Sequence, residues 1–492
     1  MPDHTRPARL TRTDQELLLH LLDTPTAGPL ETGGDGPAVQ LWEAGRAYAA
    51  AAGTLGFTVV RHAPADPAVL DRDDVPETVR EAAARDPGFL ACQPSLVLRL
   101  GPQLPQDATL MFNVHLDTVA GWWPARFDGT RFSGRGAIDA KGPAVALLAG
   151  VRAALAAEPA LGTRVGVVIQ AVAGEEGGAM GAFGTRPLVE QGFTGRLNLF
   201  CEPTGHRYLP RTTASMTAGV HVRGEDAVDD QPEAGHNATV LLGHLSSHLA
   251  RTLPPRIADG RVCVAGVHTG QRHNRVYGTG QLLLNISYGS PAAGRAAEAA
   301  LQQSLREALA DFTSRAAGTP DLARTVADAA AITSLRWYKR GLPALEDPGR
   351  TPWAETLLAD HAGLTRWPAD EPPFTCDAIW MNGVPDTYTA VLGPGHLGAN
   401  RAHADGEYAD AAELDRYADD IARVLIGFTR HALRGTDVHV ARDTDGHTVR
   451  DTDVRVVQDT DGHIVRDANG SEDDHAQPAA ARRPDAEETT TA

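Results

Sequence analysis

Five short stretches of the 492-residue chain hold acidic and imidazole side chains at positions suited to binding a cation or moving a proton. The first is Asn113-Val-His115-Leu-Asp117-Thr-Val119. Residues two apart on a strand point the same way, so His115 and Asp117 project together. A carboxylate beside a histidine can fix the tautomer and orientation of a metal ligand. The second stretch, Gly134-Arg-Gly136-Ala-Ile-Asp139-Ala-Lys141-Gly142, sets an Asp in a Gly-rich turn ahead of a helix. The third, Ala173-Gly-Glu175-Glu176-Gly-Gly178, ends an apolar run with two adjacent carboxylates. These repel unless a cation or a proton separates their roles, so one can bind metal while the other stays a free base. The fourth is Phe200-Cys-Glu202-Pro-Thr-Gly205, and the fifth runs from Gly393-Pro-Gly395 to His403 and Glu407.

Together these stretches offer His115, Asp139, Glu176, Glu202 and His403 as metal ligands, Glu175 as a base and Asp117 as a support for His115. Histidine nitrogen with carboxylate oxygen suits zinc first, and also cobalt or manganese. Three carboxylates and two histidines suit two divalent ions bridged by one carboxylate, as in hydrolases whose metals lie ~3.5–4 Å apart. Asp139, in its turn, is the natural bridge. Water between the metals would give a proton to Glu175 and attack a carbonyl carbon. A lone His-Xaa-Asp or Glu-Glu pair is usually incidental. Five such elements in this order, each at a strand end or a Gly-rich loop, are hard to assemble by chance.

Such a constellation needs a scaffold that brings strand ends together. The pattern predicts helices over 14–22, with Thr13 as a cap, over 40–56 and over 143–157. It predicts strands over 57–61, 96–100, 109–115, 164–173 and 197–201. Strands alternating with helices argue for an α/β sheet, which places ligands beyond the carboxyl ends of its strands. The middle of the chain differs, with strands expected over 218–222 and 281–288 and amphipathic helices over 235–253 and 292–312. The α/β pattern then resumes, with helices over 351–362 and 410–433. The expected fold is α/β: a catalytic domain with a mixed sheet flanked by helices, plus an inserted small α+β domain. Its expected divisions are 1–213 and 341–434 for the catalytic domain, 214–340 for the insertion and 435–492 for a tail.

The motif set resembles the di-zinc family of aminoacylases, acetylornithine deacetylases and succinyl-diaminopimelate desuccinylases, which also includes carboxypeptidases and dipeptidases. The matching segments are His115-Leu-Asp-Thr-Val119, residues 134–142, Gly174-Glu-Glu-Gly-Gly178, Cys201-Glu-Pro-Thr-Gly205, and Gly393-Pro-Gly395 with His403 and Glu407. The resemblance spans about 13–433. It implies one metal on His115, Asp139 and Glu202, and a second on Asp139, Glu176 and His403. Glu175 would be general base and acid, and Asp117 would support His115. The insertion would be a lid of the dimerisation type, giving a homodimer.

The lid departs from the family. Its pattern is a Gly, a spacer, His-Ser, then a Pro and an Asn-Ala that opens a helix. Here Pro232 and Asn237-Ala238 match, but Val228 stands where the histidine is expected. In the family that histidine helps to stabilise the tetrahedral oxyanion, and losing one such donor costs ~2.7–4 kcal/mol of transition-state stabilisation. Arg272, His273 or His236 could replace it. Asn274 keeps a family Asn, although Tyr277 replaces the usual Pro, and Thr375-Cys-Asp377-Ala resembles a family turn that faces the substrate. The substrate-binding candidates are therefore Asn274, Arg272, His273 and Asp377. The acidic run Glu225, Asp226, Asp229 and Asp230 could attract a cationic substrate, although such runs are more often solvated loops.

Two functions fit. One is a two-metal amidohydrolase that cleaves an amide bond in an N-acyl amino acid or a small peptide-like metabolite. The other is a metal-binding homologue with weak or no hydrolase activity, serving as a binding or assembly protein because Val228 replaces the lid histidine.

Composition bounds the rest. The formal charge of −18 argues against a nucleic-acid or anionic-membrane partner, since both need basic patches. Cys92, Cys201, Cys263 and Cys376 are too scattered for a disulfide framework. With no apolar leader or spanning run visible, a cytoplasmic location is expected. Residues 437–492 carry 14 acidic and 6 basic residues, −8 of the −18. They include eight-residue units reading Asp-Thr-Asp-Gly-His-Xaa-Val-Arg at 443–450 and 459–466. This resembles the front of a calcium loop, but the distal bidentate Glu is missing, so the expectation is a solvated, disordered tail.

Overall fold

The computed structural model describes residues 7–33 and 36–443. In chain order its longer strands are β1 (Phe57–Ala63), β2 (Ser95–Leu100), β3 (Thr109–His115), β4 (Gly166–Val172), β5 (Leu197–Phe200), β6 (Ala214–Arg223), β7 (Gly260–His268), β8 (Thr279–Tyr288), β9 (Thr333–Lys339) and β10 (Tyr388–Val391). The helices that matter below are α1 (Arg12–Asp23), α2 (Leu41–Gly53), α3 (Lys141–Ala157), α4 (Ala238–Thr252), α5 (Pro291–Ala316) and α6 (Ala411–Asp443).

A six-stranded mixed sheet runs in the order β1-β2-β4-β3-β5-β10. β1 and β2 are antiparallel additions at one edge. β4, β3, β5 and β10 are mutually parallel. Parallel strands are covered on both faces and so read as nearly continuous apolar runs. In β3, Leu110, Phe112 and Val114 face one core with α1, α2, α3 and α6, while Met111 faces another with Leu188, Cys376 and Met381. Because β4, β3, β5 and β10 run in one direction, their carboxyl ends lie along one edge.

A second, antiparallel sheet has the order β7-β8-β6-β9 and carries α4 and α5 on one face, through Leu241, Leu245, Leu249, Leu301 and Leu305. Both sheets belong to a compact unit that ends at Val438. The sheet flanked by helices agrees with the expected fold class. β7 and β9 were not expected from the sequence. β7 is an edge strand in which half-buried Val262 and Val264 pack against the core between exposed neighbours, but the run Val262-Cys-Val-Ala265 is apolar on both faces, so its residue types lack the alternation that marks a half-buried strand.

Several boundaries move. The first helix begins at Arg12, and Thr11, not Thr13, caps it, forming a capping box with Asp14. Residues 352–361, expected as one helix, divide into a short α-helix (Pro352–Glu355) and a π-helical turn (Thr356–His361). Helix α6 continues to Asp443, past the expected tail boundary at 434. The repeats, beyond their first residue Asp443, lie outside the described residues. Among the described residues no helix is long and apolar enough to cross a membrane.

Candidate metal centre

His115 is the last residue of β3, the central parallel strand. Its neighbour β4 leads into Gly174-Glu175-Glu176, and β5 leads into Glu202. The strand order alone therefore brings three of the five candidate ligands to one edge. Asp139 arrives from the turn ahead of α3, and His403 from the loop after β10.

The result is a tight cluster. His115 Nε2 lies 2.9 Å from Asp139 Oδ1 and 3.4 Å from Glu202 Oε1. His403 Nε2 lies 3.0 Å from Asp139 Oδ2 and 3.1 Å from Glu176 Oε1. The two oxygens of Asp139 thus face two different histidines. The donor atoms of His115, Asp139 and Glu202 lie within 4.8 Å of one another, as do those of Asp139, Glu176 and His403. This is a donor set for two cations that share one carboxylate. Glu175 lies within the same distance of His115 and Glu176.

The electrostatics follow from burial and repulsion. Burial, then the adjacent Glu176, pushes Glu175 well above the usual carboxylate range. Burial also drives Glu202 well up and Glu176 to about 7, with His403 opposing the latter. Asp139 goes the other way: against its burial, His115 and His403 hold it below the usual range. His403 is pushed up to about 10 by its hydrogen bonds to Asp139 and Glu176. Against the burial that would lower it, Glu202 and Asp139 raise His115 well above its ordinary value. Three carboxyl groups that favour protons, beside histidines that hold theirs, mark a site where positive charge is wanted.

Asp117 acts differently from expectation. The acceptor for His115 Nδ1 is the backbone carbonyl of Asp117, at 2.9 Å, while the Asp117 carboxylate stands 3.8 Å from the ring. Asp117 Oδ2 accepts from the Glu176 amide at 3.0 Å, which ties the Glu175–Glu176 turn to β3. Its Oδ1 is buried without a hydrogen-bond partner.

Further residues hold the candidate ligands, and nothing in their local sequence assigns them that role. Glu407 Oε1 accepts from the amides of Ile138 and Asp139, at 3.0 and 3.2 Å, while its Oε2 pairs with Arg135 at 2.8 Å. Both members of the pair are buried. Two-residue and three-residue strands at Arg126–Phe127, Arg131–Ser133 and Tyr408–Asp410 join the Asp139 turn to the loop that carries His403. Lys141 is buried, and its Nζ donates to the carbonyls of Leu21 and Thr24 at 2.8 and 3.0 Å. Burial lowers it to about 7. A Cβ on Gly393 would fall 2.3 Å from the Glu202 carbonyl oxygen, so the loop after β10 approaches Glu202 in a way that only glycine permits. The chain's other lysine, Lys339 at the end of β9, is buried; burial lowers it to about 8 and Glu175 opposes the shift. Its rarity was the available signal, since lysine occurs twice in the chain.

The substrate candidates scatter. Asp377 is buried, with its Oδ2 accepting from Thr185 Oγ1. Thr185 in turn accepts from Asn113 Nδ2 at 3.0 Å, so Asp377 ends a polar chain running in from β3. Arg272, His273 and Asn274 are exposed on the loop between β7 and β8 and do not join the buried cluster. His236 is not a free donor: it is buried, its Nδ1 accepts from the Glu225 amide, and its Nε2 faces Asp328. Val228 is exposed. In the acidic run, Glu225 pairs with Arg324 and Asp226 with Arg275. Cys201 and Cys376 are buried thiols, and burial pushes Cys201 up to about 12.

The model of Peptidase family M20/M25/M40 matches residues 111–426, more than half of the chain. A LysW-lysine/LysW-ornithine hydrolase of Aeropyrum pernix is 33% identical over 178 residues, covering 36% of this chain and 47% of that protein. The match thus spans about half the length of this curated relative. Among solved structures, a metallo-carboxypeptidase of Sulfolobus solfataricus superposes with a TM-score of 0.62 at 12% identity, over 85% of this chain and 100% of the other. The aminopeptidase PepT of Bacillus cereus gives a TM-score of 0.60 at 15% identity, over 84% and 98%.

Proposed function

The chain belongs to Peptidase family M20/M25/M40; from that premise we propose that it is a metal-dependent hydrolase that cleaves the amide of an N-acyl amino acid or a small peptide-like metabolite at a two-metal centre, with Glu175 as the base. The carrying observation is the division of Asp139, one oxygen facing His115 and the other His403. His115, Asp139 and Glu202 would hold one divalent ion, and Asp139, Glu176 and His403 the other, with zinc, cobalt and manganese suited to these donors. Bound there, the ions supply Lewis-acid charge that polarises a carbonyl and acidifies water.

The protein's own groups do the rest. The Asp117 carbonyl accepts from His115 Nδ1 and so directs Nε2 into the cluster. The Asp117 carboxylate holds the Glu176 amide and with it the direction of both glutamates. Glu175, raised by burial and by Glu176, is the carboxylate best placed to take a proton from the attacking water and return it to the leaving amine. A relative named for LysW-lysine/LysW-ornithine hydrolysis supports a substrate built on an amino acid. Residues 214–340 would form the lid, and the open edge of β7 supports a dimer built through it. Four free thiols accord with a cytoplasmic setting.

The test is turnover of a panel of N-acetyl and N-succinyl amino acids and dipeptides with added zinc or cobalt. Glu175→Gln should lower turnover by ~10²–10⁴-fold while retaining the metals. Intact activity in that variant would refute the proposed base. Metal binding without turnover of any panel member would favour the binding or assembly protein that Val228 suggests.

A further inference from the structure

A second group of possible ligands lies outside this centre, between α4 and α5. His244 and His248 are four residues apart on α4 and so share one face of the helix. Asp311 comes from α5, which packs against that helix. Asp311 Oδ2 lies 3.3 Å from His244 Nε2 and 3.6 Å from His248 Nδ1, and all three donor atoms lie within 4.8 Å of one another.

These distances are long for hydrogen bonds between imidazole and carboxylate. His244 Nε2 is buried and has no hydrogen-bond partner. The separations do match those of ligands around a small cation. Metal–nitrogen and metal–oxygen bonds of ~2.0–2.2 Å at tetrahedral angles place neighbouring donors ~3.3–3.6 Å apart. The surroundings also suit a ligand set. The rings of His244 and Phe312 pack edge to face at 5.5 Å, which fixes the imidazole. Arg315 Nε holds both oxygens of Asp311 at 2.8 Å. A cation on Oδ2 would leave Oδ1 to Arg315, the kind of outer hydrogen bond that orients ligating carboxylates.

We propose that His244, His248 and Asp311 form a third metal site, independent of the amidohydrolase centre, which binds a borderline divalent transition ion such as zinc and clips α4 to α5. Two imidazoles and one carboxylate leave a fourth position open to water. Ligands that exist only in the folded arrangement make binding a stabilising event.

The test uses the full chain and zinc itself. Wild type and His244→Gln/His248→Gln are equilibrated with zinc, freed of excess by gel filtration, and analysed for bound metal. The variant should hold one zinc equivalent fewer, lose at least tenfold in affinity for that equivalent, and lose the part of the zinc-induced rise in Tm that belongs to this site. Turnover should be unchanged. Asp311→Asn, which keeps side-chain volume, gives the same reading should the histidine variant not fold. Equal zinc content and equal zinc-induced Tm shifts in wild type and variants would overturn the site, whatever the activity of the other centre.

Discussion

In the proposed two-metal centre, Asp139 is the side chain on which both halves depend. Its oxygens face His115 and His403 separately, and the two histidines hold it ionised despite its burial. Each remaining ligand belongs to one half only. Asp139→Asn should therefore lose both ions, whereas Glu202→Gln and His403→Ala should each lose one, read as bound metal per chain after dialysis. Two ions retained by Asp139→Asn would rule out the shared carboxylate. Glu175 differs in kind. Its raised affinity for protons comes from burial and from Glu176 beside it, so its removal should affect turnover and not metal content.

At the scale of elements, the parallel order β4-β3-β5-β10 delivers the ligands, and the loops between elements set their spacing. The Asp139 turn is held from a distance of 272 residues by the Arg135–Glu407 pair, with Glu407 also accepting from two amides of the turn. Breaking a buried pair by removing one partner leaves the other charge uncompensated, at a cost of ~3–5 kcal/mol. Glu407→Ala should lower stability by about that much in chemical denaturation. It should also weaken metal binding by ~10–100-fold, the usual effect of losing an outer hydrogen bond that orients a ligand. A variant with unchanged metal affinity would show that the turn keeps its form without Glu407.

For the whole molecule, the cluster ties stability to pH through its protons. In chelated protein Glu176, at about 7, lies above its ordinary value, so the folded chain holds a proton that the unfolded chain has released. Stability must then fall as pH rises from the ordinary carboxylate range through about 7. His403, pushed up to about 10, contributes stability that is complete below the ordinary histidine value and lost as pH rises through about 10. Asp139 acts oppositely, but its effect is lost only on acidification below the usual carboxylate range. Above about pH 7 the buried Lys141 and Lys339, lowered to about 7 and about 8, act in the opposite sense, so the Tm of chelated protein should decline from about pH 5 to about pH 7. With metal in excess the decline should be much smaller, because binding displaces these protons and strengthens with pH. Parallel thermal scans with chelator and with zinc check this; a Tm that rises over that range in chelator would contradict it.

The sequence by itself determined the residue types of the candidate metal centre and their places at strand ends, because both are local: strand periodicity, Gly-rich turns and adjacent carboxylates can be read within a few residues. It also marked the α/β character, since strands covered on both faces are apolar throughout. Only the tertiary structure decided which groups meet. That Asp139 divides its oxygens, that the Asp117 carbonyl and not its carboxylate orients His115, and that Glu407 holds the turn all depend on backbone positions distant in the chain. The strands β7 and β9 escaped for a related reason, since edge strands need no strongly apolar face and gain their form from pairing with β8 and β6. His244, His248 and Asp311 are unremarkable in sequence, and become a ligand set because α4 and α5 pack side by side.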